Sequence, residues 1–569
     1  MISEVCFSFS GLTEKEADII KTVAVRRLSE RAGVTEAPNG YFLSFRLEGQ
    51  EEKEYYSLEQ GLQGSVISGN SLSAIITGFG TFLRESELYP GRGMVCGCKS
   101  IRHFFPSVFR GMYFATHNNN FYVEAPMQEI RVVMEDLMLW GMNALCIWFD
   151  LHHYTSINEE AAVKMLCRIR EIFEAAHELG IKTVVTANAN EAFPDSPEDL
   201  RAQWKTQGKY HRELAGHYHI EICPSKQGGI ERILHDRAIH LEAIKDLHID
   251  YIVFGPYDQG GCTCEACAPW GANGYLRCLK ALRPLVRQYL PDTTICLSSW
   301  YFERFISDEW AAFIREIEAG DWKDWIGFII AHFHEGECIP AYLREHKSVG
   351  SIPLVEFSEI SMYGAKPWGG FGANPYPKKL NMVRALSDGI YSGCLPYSEG
   401  IYEDINKAII LGQYSGISED AFELVRLYAK MEFSEELADD IAKLVSYEEE
   451  TLLRTRVNDE LIRPDRSCPV RFPIHFTQMI HQTAALAEQV NSHLDERTQA
   501  SWKWRILYLR ALIDRDMYQN NWYISDQCVK YMNELVEIYH GQKANYWVSP
   551  PTPDALVRNG VLNKDDVNG

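Results

Sequence analysis

Between residues 106 and 417 the sequence repeats one pattern, a short apolar run followed by a stretch with the apolar spacing of an amphipathic helix. The apolar runs fall at 108–115, 143–150, 182–188, 250–258, 293–302, 325–333, 352–358 and 393–399. Helical stretches occupy 128–140, 159–179, 230–247, 273–289, 308–318 and 379–391. Alternation of this kind predicts repeated βα units around a parallel sheet. Eight strands over about 300 residues have the size and rhythm of a (β/α)8 TIM barrel, so the expected class is α/β. An open doubly wound sheet is the alternative.

The flanks read differently. Residues 1–105 carry strand patterns at 5–9 and 41–47 and helical spacing at 14–32 and 71–84, which predicts a small α/β domain. Beyond 417 the strand signals stop, and 421–433, 434–456, 477–496 and 502–517 all have helical spacing, so 418–569 is expected to be a helical domain. Three domains suit a chain of 569 residues. The formal net charge of −22 repels phosphate backbones and anionic lipid, which argues against nucleic acid or a membrane as partner. No basic, apolar leader opens the sequence, and no apolar stretch is long enough to cross a bilayer. Fifteen cysteines, most of them placed singly inside strands or helices, fit reduced thiols and a cytoplasmic location. Homo-oligomerisation is left open.

Barrel enzymes work at the C-terminal ends of their strands. Here those ends carry His117, Asp150, Asp258, Trp300, His332, Glu356 with Glu359, and Tyr397 with Glu399, and the glycine-rich loop 366–372 adds Trp368. Carboxylates, aromatic platforms and histidines on one rim match the needs of a sugar ring: an acid/base pair, stacking surfaces and hydrogen bonds to hydroxyls.

Phe109-Arg110-Gly111 opening the barrel, with Leu139-Trp140-Gly141-Met142-Asn143 after it, resembles the glycoside hydrolase superfamily of hexosaminidases, α-glucuronidases and hyaluronidase-like enzymes. Ile67-Ser68-Gly69 and the run from Gly78 to Arg84 are similar to the non-catalytic N-terminal domain those enzymes carry. The resemblance implies a sugar-binding role for Arg110, whose alternative is a buried ion-pair partner. Hexosaminidases end the fourth strand in Asp-Glu, where this chain has Asp258-Gln259 and so lacks their general acid. The seventh strand resembles family 67 α-glucuronidases, but Met362 stands where that family has its catalytic glutamate. Those departures speak against substrate-assisted and glucuronidase chemistry and leave Glu356 and Glu359 as the carboxylates of that strand.

Cys262, Cys264 and Cys267 follow Asp258 closely, and Cys223 lies in the preceding βα unit. Two readings stand: a closed tetrahedral zinc site pinning the strand-four loop, or packed reduced thiols. Gly260 and Gly261 are expected to make the turn that aims Asp258 at the rim.

The sequence therefore predicts an exo-acting glycoside hydrolase with no cofactor required for catalysis and a carbohydrate as its partner. Asp258 and Glu356 lead as acid/base, with Glu399 and Glu359 as alternates; Arg110, His117, Asp150, Trp300, His332, Trp368 and Tyr397 would shape the site. A metal-dependent sugar isomerase is the second reading, resting on His332, His334, Glu335, Glu337 and Glu356 near adjacent strand ends. The third is a non-catalytic carbohydrate-binding protein.

Overall fold

The computed structural model describes residues 1–49, 51–117, 120–203, 219–258, 260–300, 302–303, 307–333, 339–360, 372–387, 389–451, 474–520 and 525–540. The N-terminal strands are β1 (Glu4–Ser10), β2 (Thr35–Glu36), β3 (Tyr41–Leu47), β4 (Tyr55–Gln60), β5 (Gly64–Gly69) and β8 (Lys99–Phe104), with the hairpin β6 (Glu87–Tyr89) and β7 (Gly93–Val95) beside them. Six of them form one sheet in the order β2-β1-β3-β5-β4-β8. Helices α1 (Glu14–Ala32) and α2 (Leu72–Glu85) belong to the same unit. A capping box between Thr13 and Glu16 starts α1, and Gly33 in the left-handed region ends it.

The barrel strands are β9 (Phe109–Phe114), β10 (Ala144–Trp148), β11 (Lys182–Asn188), β12 (Tyr251–Gly255), β13 (Thr294–Ser298), β14 (Ile326–Ala331), β16 (Ile352–Glu356) and β17 (Gly393–Cys394). All pair in parallel, and β17 pairs back onto β9, so the sheet closes. A short strand β18 (Tyr397–Ser398) extends the last staves along β9, and β15 (Ser348–Val349) forms a small antiparallel pair with β16. Strand eight is thus two pieces rather than one continuous run, interrupted at Leu395-Pro396, where proline has no N–H to give the ladder. The connecting helices include α3 (Phe121–Glu124), α4 (Met127–Met138), α5 (Glu160–Glu178), α6 (Gly229–Ile244), α7 (Trp270–Asn273), α8 (Tyr275–Tyr289), α9 (Glu309–Ala319), α10 (Ala341–His346), α11 (Pro377–Ser387) and α12 (Asp404–Ser415). Helices α13 (Ala421–Glu432), α14 (Ala438–Thr451), α15 (Ile474–His493), α16 (Glu496–Ala500), α17 (Trp502–Gln519) and α18 (Asp526–Ile538) follow. Among the described residues no helix is long and apolar enough to cross a membrane.

Side chains alternate across each barrel strand. Phe109, Tyr113, Cys146, Trp148, Val184, Val253, Cys296, Phe328, Ile330, Val355, Leu395 and Tyr397 pack together inside the barrel. Their neighbours Met112, Leu145, Ile147, Val185, Ile252, Leu297, Ile329 and Leu354 face the helices. Phe109, Tyr251 and Phe328 plug the lower end, with ring centroids 4.6 to 5.6 Å apart, and close the lumen there.

A buried charge network ties the three regions together. Arg27 of α1 bonds Glu432 of α13 at 2.7 Å, and Arg26 bonds Asp136 of α4 at 2.7 Å. Lys503 of α17 lies 2.8 Å from Asp136 and 3.3 Å from Glu432.

Candidate active site

A cavity of 280 Å3 occupies the open end of the barrel. Its wall is aromatic, formed by Tyr113, Trp148, Tyr257, Trp300, Phe357 and Tyr397, and two carboxylates, Asp258 and Glu359, line it. These residues come from successive strand ends, and the alternation that fills the lumen with Cys146, Val253, Cys296 and Val355 brings Trp148, Tyr257, Trp300 and Phe357 to the rim.

Asp258 sits just beyond β12. The Trp300 indole N–H donates to its Oδ1 at 2.7 Å and fixes the carboxylate against the wall. Gly260 takes φ +78°, and its N–H donates to the Tyr257 carbonyl at 2.7 Å, closing the turn that presents Asp258. Gly261 serves a different need: a Cβ there would lie 1.8 Å from the Trp270 ring.

Glu359 lies past the end of β16, and its backbone is held by the Tyr376 hydroxyl donating to its carbonyl at 3.0 Å and by a bridge to Tyr397. Tyr397 lines the cavity and donates to Glu399 Oε1 at 2.9 Å, which places Glu399 one hydrogen bond behind the wall. His117 faces the hydroxyls of Tyr113 and Tyr397, each at 3.4 Å. Burial pushes its imidazole down to about 4, outweighing Asp150. His332 accepts no place in the wall itself; its Nδ1 bonds the Phe357 carbonyl at 2.6 Å and its ring packs on Trp300 at 4.7 Å.

Three expected site residues stand elsewhere. Glu356 does not enter the lumen: Val355 and Phe357 point inward, so Glu356 points out toward α12, where the hydroxyls of Tyr414 and Ser358 donate to it. It is buried, and both of its oxygens are held by these hydroxyls rather than turned to the cavity. Arg110 likewise faces away from the lumen and is fully buried, bonding Glu54 at 2.7 Å and the carbonyls of Gly141 and Ser107. It is the buried ion-pair partner that joins the barrel to the N-terminal sheet. Asp150 is buried behind Trp148 rather than in the cavity lining. Trp368, Met362, His334, Glu335 and Glu337 fall outside the described residues. Of the set proposed for an isomerase metal, the two described members, His332 and Glu356, are separated by this same alternation.

Asp150 belongs to a network that the sequence reading missed. His152 Nδ1 lies 2.5 Å and His219 Nε2 3.2 Å from Asp150 Oδ1, and Glu191 takes the N–H of Leu151 at 2.6 Å and Arg237 at 3.0 Å. Burial works to raise Asp150, but His219 and His152 outweigh it and hold the carboxyl well below the usual range. The His219 ring packs 4.4 Å from Tyr257, so this network backs one wall of the cavity. His219 lies between β11 and α6 in a segment without strand periodicity, and no motif or spacing in the sequence points to it. Asp150, His152, Glu191 and His219 are close enough to suggest a cation. However, tetrahedral ligands about 2.0 to 2.1 Å from one ion stand about 3.3 Å apart, and the 2.5 Å between His152 Nδ1 and Asp150 Oδ1 is a direct hydrogen bond instead, while Arg237 already pairs with Glu191 at 3.0 Å. The second group of this kind is Cys223, Cys262, Cys264 and Cys267.

A closed (β/α)8 barrel, plugged below and open at a rim of aromatics and carboxylates, behind an α/β domain and before a helical bundle, has the fold of solved glycoside hydrolases. One is the family 89 glycoside hydrolase from Clostridium perfringens in complex with 2-acetamido-1,2-dideoxynojirmycin, at 12% identity and TM-score 0.60 over 92% of this chain and 65% of that one. The same Clostridium perfringens enzyme with its substrate GlcNAc-alpha-1,4-galactose aligns at 11% identity and TM-score 0.59, over 92% of this chain and 64% of that one. A GH138 enzyme targeting pectin rhamnogalacturonan II aligns at 12% identity and TM-score 0.54, over 94% of this chain and 73% of that one. This chain therefore spans less than two thirds of the length of the clostridial chain it matches. No family model and no curated protein sequence matches it.

Proposed function

We propose that the chain is an exo-acting glycoside hydrolase that removes a terminal sugar from short oligosaccharides or glycosides, with Asp258 and Glu359 as its acid/base carboxyls. The observation that carries the reading is the cavity itself: two carboxylates on different strand ends, within an aromatic wall, above a sealed barrel floor. Glycosidic cleavage needs two such groups, one to protonate the leaving oxygen and one to act on the anomeric carbon or on water. At 280 Å3 the cavity is just below the range of about 300 to 1,000 Å3 typical of small-ligand sites, a size for one ring rather than a polymer. Trp148, Tyr257, Trp300 and Phe357 offer the apolar faces on which a pyranose stacks, and His117 and Tyr397 offer donors and acceptors to its hydroxyls. With Gln259 beside Asp258, the reaction relies on the two carboxyls rather than on a substrate acetamido group held by an Asp-Glu pair. The placement of most cysteines singly inside strands and helices supports a reducing, cytoplasmic setting and imported substrates.

The test is release of chromophore from a panel of α- and β-linked aryl glycosides, starting with α-N-acetylglucosaminides because the similar clostridial enzyme was solved with GlcNAc-alpha-1,4-galactose. Turnover of one member is expected, falling by roughly 10² or more in Asp258→Asn and in Glu359→Gln. If each variant stays within about tenfold of the parent, these carboxyls are not the acid/base pair. Tight sugar binding without turnover would instead select the non-catalytic reading.

A further inference from the structure

The loop that carries Asp258 continues into Cys262, Cys264 and Cys267, and these meet Cys223 from the segment before α6. Cys223 Sγ lies 3.7 Å from Cys264 Sγ and 3.7 Å from Cys267 Sγ, and all four sulfurs lie within 4.8 Å of one another. Thiolates about 2.3 Å from a tetrahedral zinc ion stand about 3.8 Å apart. The sulfurs are far beyond the about 2.05 Å of a disulfide. They are also gathered around one point, whereas an iron–sulfur cluster interposes further atoms and spreads its ligands. Surrounding donors suit thiolates: the Gln203 N–H points at Cys262 Sγ at 3.4 Å, and Ser225 Oγ sits 3.1 Å from Cys267 Sγ. Arg277 donates to Ser225 at 2.8 Å and brings a positive charge to a site whose four thiolates exceed the charge of a divalent ion.

We propose that Cys223, Cys262, Cys264 and Cys267 bind one zinc ion as a closed structural site that staples the strand-four loop to the segment entering α6. Four protein ligands leave no position for water or substrate, so the ion organises the fold and takes no part in bond cleavage. The staple acts on the candidate site through chain geometry. Cys262 lies one short turn beyond Asp258, and Ile222, next to Cys223, bridges to Arg201, so zinc holds the Asp258 loop against the backbone that follows β11. The site stands whether or not the hydrolase reading does.

The whole protein, purified without chelator or metal-affinity tag, is expected to contain one zinc per chain by elemental analysis. Protein made in cobalt-supplemented medium should show the visible ligand-field bands of tetrahedral cobalt and intense sulfur-to-cobalt charge transfer. Cys264→Ser should lose its metal on dialysis against chelator and melt at lower temperature, while Cys167→Ser, outside the cluster, keeps both. If Cys264→Ser fails to fold, the cobalt spectrum of the parent protein decides. Iron in place of zinc, or folded protein without metal whose four clustered thiols all react with an aromatic disulfide reagent, would overturn the assignment. None of these readouts requires turnover, so an inactive glycoside panel and a failed zinc site remain distinguishable.

Discussion

Asp136→Asn removes the shared carboxylate from the charge network where the N-terminal sheet, the barrel and the helical bundle meet. Asp136 is 5% exposed and pairs with Arg26 at 2.7 Å and Lys503 at 2.8 Å, with Arg27 at 4.0 Å. The neutral amide leaves Arg27 and Lys503 sharing Glu432 in the buried interior, while Arg26, 16% exposed, keeps Glu135 at 3.1 Å and Glu30 at 3.4 Å. Breaking a buried pair from one side costs about 3 to 5 kcal/mol. Unfolding entropy of about 2.1 cal/mol/K per residue amounts to about 1.2 kcal/mol/K for the whole chain. The melting midpoint at pH 7 should therefore fall by about 2.5 to 4 °C if the three regions melt as one. Burial works to raise both Asp136 and Glu432, but Arg26, Lys503 and Arg27 for the first, and Arg27 and Lys503 for the second, hold them below the usual range. Below about pH 5 the unfolded chain takes up protons that these native carboxylates refuse, so stability falls as pH drops. The variant should show a shallower acid loss than the parent. Differential scanning calorimetry from pH 3 to 8 measures both quantities. Asp439→Asn, which breaks an exposed pair with Arg426, is the control and should move the midpoint by less than about 0.5 °C. A shift below about 1 °C in Asp136→Asn, with an unchanged acid limb, would refute the claim that the network locks the regions together.

Glu356→Gln should keep turnover within about threefold while lowering the melting midpoint, because the carboxylate holds Tyr414 and Ser358 outside the lumen; loss of activity comparable to Glu359→Gln would contradict the assignment of strand faces. Trp300→Phe removes the N–H that fixes Asp258 and is expected to lower kcat/KM about tenfold, with most of the loss in kcat, as read from initial rates on the responsive glycoside. Burial lowers His117 to about 4, so the neutral native imidazole resists a proton that the unfolded chain accepts near pH 6.5. Up to about 3 kcal/mol of stability is fully present above pH 6.5 and lost as pH falls toward 4; urea titrations of His117→Gln should show a flatter slope in that window, and an unchanged slope would mean the imidazole is not shielded.

The barrel was legible because its alternation of strands and helices is a whole-chain signal, insensitive to the ends of any one element. The run read as 250–258 narrows to Tyr251–Gly255, and 293–302 to Thr294–Ser298, since rim residues keep an apolar, aromatic composition after the ladder has ended. The faces were not legible. Parallel strands are buried on both sides, so Leu354, Val355, Glu356 and Phe357 show no polar face to mark the lumen, and the carboxylate at the strand end looked as good as the one beyond it. In Ile67-Ser68-Gly69 the sequence displayed a family likeness without its strand partners; β5 pairs with both β3 and β4, a register that depends on residues distant in the chain. Trp300 and Asp258 were both recognisable as rim residues, but their direct hydrogen bond depends on the tilt between two strands.

The closure of the barrel through β9 and β17 also sets a timetable for biosynthesis. The N-terminal sheet has all its strands by Phe104 and can pair them as soon as that segment leaves the ribosome. Phe109 follows directly, yet its partner on one side is Gly393. At about 5 to 20 residues per second, that edge waits on the order of 15 to 60 s for its final neighbour. The charge lock has a still longer delay, because Arg27 emerges early while Glu432 and Lys503 emerge late. A nascent chain therefore carries a finished sheet, an unclosed β9 and an Arg27 still lacking Glu432 until these later segments emerge, and pauses in translation before Gly393 would lengthen the interval in which that edge is open to other chains.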